Sequence, residues 1–363
     1  MRLLYINNTD CPSFYANSIN TINMCESFSK IINTQLIIPI KLWKYNHITY
    51  KKNIFKFYNV TNHFNLKRLF LTPKISGLNN FYKRAIMCAS NDDLIYTRDI
   101  NCVKLCLKNK KYVIYECHSY NKILSSYIDN KYLILVSFIT QNLADLFNIK
   151  NKYIISPDAS RDYYYDNNIE GKSITIGYLG SCSKGRGIEQ LIDYGLKNND
   201  KKILIGGMTL KECNIKLNKN FTLSKNINFF GKIKPKNVKC FYKLCDILYM
   251  GYNNKVTIDN NKGNTIDIMS PLKLFEAMST AKPFIAPSIS TITSILPENM
   301  HKYLLTKIDD NSIKRFIFDF SNNKKKYLTD FEAVRKLYLS DYTWDKRAAN
   351  IIDKINSYNI FDG

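Results

Sequence analysis

Lys273 and Glu276 lie one helical turn apart in the stretch SPLKLFEAMSTAKPFIAP (270–287). The stretch reads as a helix that starts sharply and then a short buried strand, PFIAP. Ser270 suits the N-cap, and Pro271 suits the first helical position, whose N–H has no partner in a helix anyway. Leu272, Phe275 and Met278 recur at helical spacing and are expected to face a core. Lys273 is then out of place, because the first turn of a helix already carries partial positive charge. An anion bound there would account for it: the free N–H groups of a helix start bind phosphate, and a lysine adds charge. The alternative is a solvated lysine on the outer face.

A second stretch, GYLGSCSKGRGIEQL (177–191), follows an apolar run and leads into a helix. Its glycines allow close approach of the backbone to a ligand. It mimics a P-loop, but Arg186 stands where that motif has Lys, and Gly187 replaces the metal-binding hydroxyl, so a P-loop NTPase is excluded. The Rossmann glycine spacing is not met either. What remains is a turn, Gly180 and Ser181 included, that presents Arg186 at the carboxyl end of a strand. The helix start at 270–273 is expected on the carboxyl edge of the same sheet. Two cationic side chains and two helix N-termini converging there fit a diphosphate leaving group. Glu276 would accept hydrogen bonds from ribose hydroxyls.

His118, in YECHSY, is a third candidate; taken alone, a structural histidine is the commoner outcome. The run Glu116–Cys117–His118 invites a metal or Cys–His reading. It is discounted because adjacent strand residues point to opposite faces. No D-x-D occurs in the chain.

The elements that must position these residues read as alternating strands and helices. RLLYIN (2–7), QLIIPI, DLIYTR (93–98), KYVIYEC (111–117), YLILVS (132–137) and KYIIS (152–156) are strands, with helices between them, the first over 15–32. Residues 41–75 read as irregular and basic. Residues 157–172 read as a linker, after which the pattern restarts with SITIGYLG, KKILIGG, NINFFG, DILYMG and PFIAP. Residues 341–358 form an amphipathic helix. Short apolar strands separated by helices indicate parallel α/β sheets. Two α/β units are therefore expected, 1–165 and 170–340, with a cleft between them and ligands at the strands' carboxyl ends.

A chain of 363 residues, 45% hydrophobic, can bury two cores and is not disordered. The formal net charge of +23 favours an acidic partner, although Lys-, Asn-, Ile- and Tyr-rich composition accounts for much of it. Residues 41–111 carry fifteen Lys or Arg against three acids, with aromatics from Trp43 to Tyr82 interleaved. That mixture suits an anionic membrane surface or single-stranded nucleic acid, as well as a plain solvated face. The ten cysteines show no C-x-x-C and are expected to be reduced thiols. Neither a signal peptide nor an apolar run long enough to span a bilayer is read. The expected location is cytoplasmic, or peripheral on the inner face of the cell membrane.

Taken together, IGYLGSCSKGRGIEQLI, NINFFGKIKPKNV, SPLKLFEAMSTAKPFIAP and YTWDKRAANII resemble the retaining glycosyltransferases of family 4, the glycosyl transferases group 1. DLIYTRD, YECH and TQNLADLF extend the resemblance more weakly into the first half. The resemblance implies the GT-B fold, two Rossmann-like α/β domains facing across a cleft. It implies a hexosyl-type transferase that needs no metal or cofactor. The donor, a nucleotide-diphosphate sugar with UDP the expected nucleotide, would bind the C-terminal domain. The acceptor, a cell-surface polysaccharide or lipid-linked glycan, would bind the N-terminal domain, and the helix 341–363 would pack back on that domain. By position, Arg186 contacts the donor diphosphate, with Lys273, Ser270, Pro271 and Leu272 near the same group. Glu276 matches the ribose-holding glutamate of the E-x7-E motif, and His118 a histidine on the transferred sugar. The first glutamate of that motif falls at Ile268, and Ser181 replaces a common basic position. The usual Gly-Gly loop is replaced by NTDCPSFYANS. A basic nucleic-acid-binding protein and a GT-B nucleotide-sugar epimerase are the alternatives; no RRM, KH, helix-turn-helix or zinc signature supports the first.

Overall fold

The computed structural model describes residues 2–41, 53–62, 64–72, 77–166, 173–222, 224–253 and 264–358. The chain divides into two units, Met1–Asp158 with Trp344–Gly363, and Ala159–Thr343.

The first unit is built on a parallel sheet of β1 (Leu3–Ile6), β2 (Thr34–Ile40), β3 (Asn65–Phe70), β4 (Leu94–Thr97), β5 (Val113–Cys117), β6 (Leu133–Phe138) and β7 (Tyr153–Ile155). Its strand order is β3-β2-β1-β4-β5-β6-β7. β1, β4, β5 and β6 are buried along their whole length, which is why they read as continuous apolar runs. The helix Ala16–Phe28 follows β1 and is buried from Asn20 to Phe28. The last helix, Trp344–Asn356, packs on it with a stripe of Trp344, Arg347, Ala348, Ile351, Ile352 and Ile355. Asp345 pins the pair, accepting from Ser27 at 2.7 Å and pairing with Lys30 at 2.8 Å.

The second unit carries a parallel sheet in the order β10-β9-β8-β11-β12. These are β8 (Thr175–Leu179), β9 (Lys202–Gly206), β10 (Ile227–Phe229), β11 (Ile247–Tyr249) and β12 (Phe284–Ile285). Strand order reverses on either side of β8. The carboxyl ends of β8 and β11 flank this switch point, where open α/β sheets bind ligands.

Three sequence expectations differ from the structure. Within 41–75, expected to be irregular, a helix runs over Ile54–Tyr58 and β3 over Asn65–Phe70; residues 42–52, 63 and 73–76 lie outside the described residues. β3 is an edge strand, half exposed and carrying Lys67 and Arg68, so it lacks the apolar run of its neighbours. Of the expected linker 157–172, residues 157–166 are packed rather than free, and 167–172 lie outside the described residues. Ser160 donates to the Phe275 carbonyl at 2.9 Å, and Tyr163 is buried with its ring 5.4 Å from Tyr242. The basic–aromatic pattern of 41–111 is in part internal: Tyr58, Phe64, Phe81 and Tyr82 are core residues. Lys41 pairs with Asp10 at 2.6 Å, and Arg98 is half-buried beside Glu116. Trp43, Tyr45 and Tyr50 lie outside the described residues. All ten cysteines are free thiols. No helix among the described residues is long and apolar enough to cross a membrane.

Candidate functional site

At the carboxyl end of β8 the chain turns through 180–187. The Gly180 N–H still bonds the Gly206 carbonyl at 3.0 Å, so the turn starts from the sheet itself. Gly187, at φ 72°, is the N-cap of the helix Ile188–Lys197. A Cβ there would lie 1.6 Å from the Gly251 carbonyl oxygen, so a glycine is required both by the backbone and by the neighbour. The segment after β11 is tied onto this turn. Asn253 donates to the Gly185 carbonyl at 3.0 Å, the Tyr249 hydroxyl to the Gly187 carbonyl at 2.9 Å, and Gln190 to Asn253 at 2.9 Å.

The helix Leu272–Thr280 comes next to the same turn. Its N-cap is Pro271, not Ser270, and no side chain caps it. Proline sets its own φ, here −81°, and its carbonyl takes the Leu274 N–H at 2.8 Å. Phe275 and Met278 are buried as expected, whereas Leu272 is half-buried.

Lys273 is not a solvated residue. It leans back over Gly180, where a Cβ would meet its Nζ at 2.7 Å. The ammonium donates to the Tyr178 hydroxyl at 3.0 Å and stands 4.2 Å from the centre of that ring. The Tyr178 hydroxyl in turn donates to the Ser181 carbonyl at 2.6 Å. Tyr252 lies 5.5 Å from Lys273 Nζ and 5.6 Å from the Arg186 guanidinium, so one ring faces both cations. Arg186 Nε is buried and has no hydrogen-bond partner among the described residues. Burial, then repulsion from Arg186, holds the Lys273 ammonium well below its ordinary value, with Glu276 opposing. Burial raises the Glu276 carboxyl, while the Tyr242 hydroxyl, donating at 2.6 Å, and Lys273 pull it down. Ser181 is exposed, its Oγ 3.2 Å from Ser183 Oγ.

Gly180, Arg186, Lys273 and the first turn from Leu272 thus share one neighbourhood at a sheet's carboxyl edge. Two cations meet there with aromatic rings and a spare N–H donor, and Glu276 lies one turn further in. An anion would relieve the repulsion between the cations and satisfy the spare donor. Tyr178 and Tyr252 were not singled out from the sequence. Each reads as one more apolar residue of a strand or its end, and only the fold brings them under Lys273.

His118 belongs to the first unit, just after β5. Its Nδ1 lies 3.0 Å from Arg98 Nη2, and its Nε2 lies 2.5 Å from Glu116 Oε1. Glu116 is 1% exposed and also faces Arg347 Nη2 at 3.2 Å, Arg98 Nε at 3.6 Å and the Tyr96 hydroxyl. Burial alone would raise the Glu116 carboxyl; Arg347, Arg98 and His118 outweigh it and hold the group well below the usual range. Burial and then Arg98 lower the His118 imidazole, against Glu116. Glu116, His118 and Asp158 bring ligand atoms within 4.8 Å of one another. Glu116 and His118 are two residues apart and share a face, so discounting them as strand neighbours does not hold for this pair. The donor set still does not suit a cation, because two guanidinium groups already occupy the carboxylate. Arg98, Glu116 and Arg347 were missed as a group; nothing in the sequence links residues so far apart.

Residues 162–333 match the family described as Glycosyl transferases group 1, a span that covers most of the second unit. Among solved structures, Anabaena Alr3699/HepE in complex with UDP and glucose superposes with a TM-score of 0.70 at 13% identity, covering 98% of this chain and 100% of that one. Sucrose-phosphate synthase from Thermosynechococcus elongatus gives 0.70 at 12% identity, covering 98% of each chain. A variant of S. aureus TarM in complex with fondaparinux, alpha-GlcNAc-glycerol and UDP gives 0.69 at 11% identity, covering 98% of this chain and 100% of that one. These likenesses show the fold: the chain has the GT-B architecture. No curated protein matches the chain.

Proposed function

We propose that the protein is a retaining glycosyltransferase that moves a hexose from a nucleoside-diphosphate sugar to a glycan acceptor, without a metal. The observation that carries this reading is the pair Arg186 and Lys273 at the carboxyl edge of the second sheet, with Arg186 Nε buried and without a hydrogen-bond partner among the described residues. The glycosyl transferases group 1 match over 162–333 supports it, as do structural neighbours that bind UDP and sugars. UDP is the proposed nucleotide.

In this reading the glycosidic C–O bond breaks toward the diphosphate. Arg186, Lys273 and the N–H groups after Pro271 stabilise the charge that develops there. The acceptor hydroxyl attacks from the same face, and its proton passes to the departing phosphate. Glu276, beside Tyr242, holds the nucleotide ribose. The acceptor, a cell-surface or lipid-linked glycan, falls to the first unit, where His118 meets the transferred sugar. Work at the cytoplasmic face of the membrane, with peripheral contact through the basic segment 41–111, is part of the same proposal.

The test is thermal shift with UDP, GDP, ADP and CMP on wild type and on Arg186→Ala, without added metal. Stabilisation by a nucleoside diphosphate in the wild type, reduced in the variant, is the expected result. A charge-assisted contact of about 1.5–3 kcal/mol corresponds to roughly 10- to 100-fold weaker binding. No shift with any nucleotide would remove the donor site. Donor turnover with no acceptor present would point to an epimerase instead.

A further inference from the structure

The first unit encloses a charged cluster of which only His118 has a role above. At its centre Glu116 takes three partners from three parts of the chain: Arg98 from the end of β4, His118 from the end of β5 and Arg347 from the last helix. Tyr96 completes it with a hydroxyl donated to the other carboxylate oxygen. Arg347 is 3% exposed and anchored by Ser156, whose carbonyl accepts from Nε at 3.3 Å and Nη2 at 3.2 Å. The last helix therefore brings its one buried cation onto the carboxylate that holds His118.

The geometry settles the state of the imidazole. A guanidinium has only N–H donors, so His118 Nδ1, facing Arg98 Nη2, must be the acceptor. The proton is then on Nε2, which faces the Glu116 carboxylate. The ring is neutral, in one tautomer, with both nitrogens engaged. Arg98 sets that tautomer; how strongly Glu116 draws on the ring depends on its other partners, and Arg347 Nη2 shares with His118 the same carboxylate oxygen, Oε1, at 3.2 Å. A carboxylate this deep, left with one fewer cation, would draw harder on the remaining groups or take up a proton.

We propose that Arg347 is a positioning residue: acting through Glu116, it keeps the His118 ring neutral and sets the direction of its Nε2–H, while Arg98 fixes the tautomer. The charged groups that act on His118 are Arg98 from the end of β4, Glu116 from β5 and Asp158; Tyr5 from β1, Tyr96 from β4 and Arg347 from the last helix face Glu116 behind it. Arg347 is thus the group by which the end of the chain reaches the imidazole. Its bearing on sugar transfer rests on the function proposed above; its bearing on the imidazole does not.

The test is nitrogen–proton NMR of the imidazoles across a pH titration. The chain has four histidines, so His118→Gln assigns the signal. In the wild type, His118 should show the Nε2–H pattern and titrate below the ordinary value of about 6.5. In Arg347→Met the carboxylate acts on the ring less opposed, and the titration should move up by about one pH unit or more. Arg347→Lys, which keeps the charge, should return most of that shift. A folded Arg347→Met whose His118 keeps its titration, losing only thermal stability, would overturn the proposal. Should Arg347→Met fail to fold, the double variant Arg347→Met, Glu116→Gln removes the unpaired buried charge. There Arg347 has no carboxylate to act through, so His118 should titrate as it does in Glu116→Gln alone; a further upward shift of about one pH unit would overturn the proposal. Under the transferase reading, Arg347→Met also lowers kcat with the donor KM unchanged. Failure of the wild type to bind any nucleotide would remove that reading and leave the imidazole result standing.

Discussion

At the scale of single residues, the charge of Lys273 is controlled by what surrounds it. In the ligand-free chain burial and Arg186 depress its proton affinity, while Glu276 opposes them. A diphosphate would supply the opposite charge and raise it. Nucleotide binding should therefore take up a proton at Lys273. Affinity is full below the free-state pKa, falls as pH rises from the free-state to the bound-state value, and levels off above that. UDP titration calorimetry at successive pH values above about 7.5, in buffers of different ionisation heat, isolates this effect, because a terminal phosphate with a second pKa of about 6 is already ionised there. Affinity independent of pH across that range would refute it. Gly180→Ala probes the same contact sterically. The added methyl would lie 2.5 Å from Lys273 Cε, the end of a flexible chain that can swing away. The expected outcome is UDP binding weakened by about tenfold, near 1.4 kcal/mol, with an almost unchanged melting temperature. What the sequence showed at this scale was that a lysine in a first helical turn needs an explanation. It did not show that Tyr178 and Tyr252 supply part of one, since a tyrosine in a buried strand looks like any other core residue.

At the scale of elements, the site depends on how closely the turn 180–187 approaches the segment after β11. Gly187 and Gly231 both have positive φ, 72° and 63°, but they differ in surroundings. A Cβ at Gly187 meets the Gly251 backbone, whereas one at Gly231 has only Thr209 Cγ2, at 3.7 Å. Gly231→Ala should cost about 1–2 kcal/mol of conformational strain, seen as a modest fall in chemical-denaturation stability. Gly187→Ala should cost clearly more and abolish UDP binding, because turn and segment must part. Equal losses in the two variants would mean the close approach is unimportant. The strands were legible because parallel strands buried on both faces are runs of Ile, Leu, Val and Tyr. β3 was not, since an edge strand is allowed to be charged and half wet. The cap at Pro271 was displaced by one residue, the ordinary uncertainty of a helix end.

At the scale of the molecule, the α/β class and the two parallel sheets were legible because the strand–helix alternation stops and restarts, whereas the GT-B fold was implied by the family resemblance of the motifs. The cluster of Arg98, Glu116, His118 and Arg347 was not, because it is assembled from β4, β5 and the last helix, and pairings that distant leave no periodic signal. The first unit is discontinuous: it needs Trp344–Gly363 as well as Met1–Asp158, while the second unit is one uninterrupted stretch. Domains usually mature in the order in which they leave the ribosome. Here that order is inverted. The second unit has all its residues while the first still lacks the helix that covers Ala16–Phe28 and the arginine that pairs Glu116. Protease pulses on stalled nascent chains should find residues 159–343 protected first, and residues 1–158 only once the last helix has cleared the exit tunnel. Until then the first sheet, complete in its strands but missing the helix over Ala16–Phe28, carries an underpaired carboxylate at its centre and an apolar helix face left uncovered.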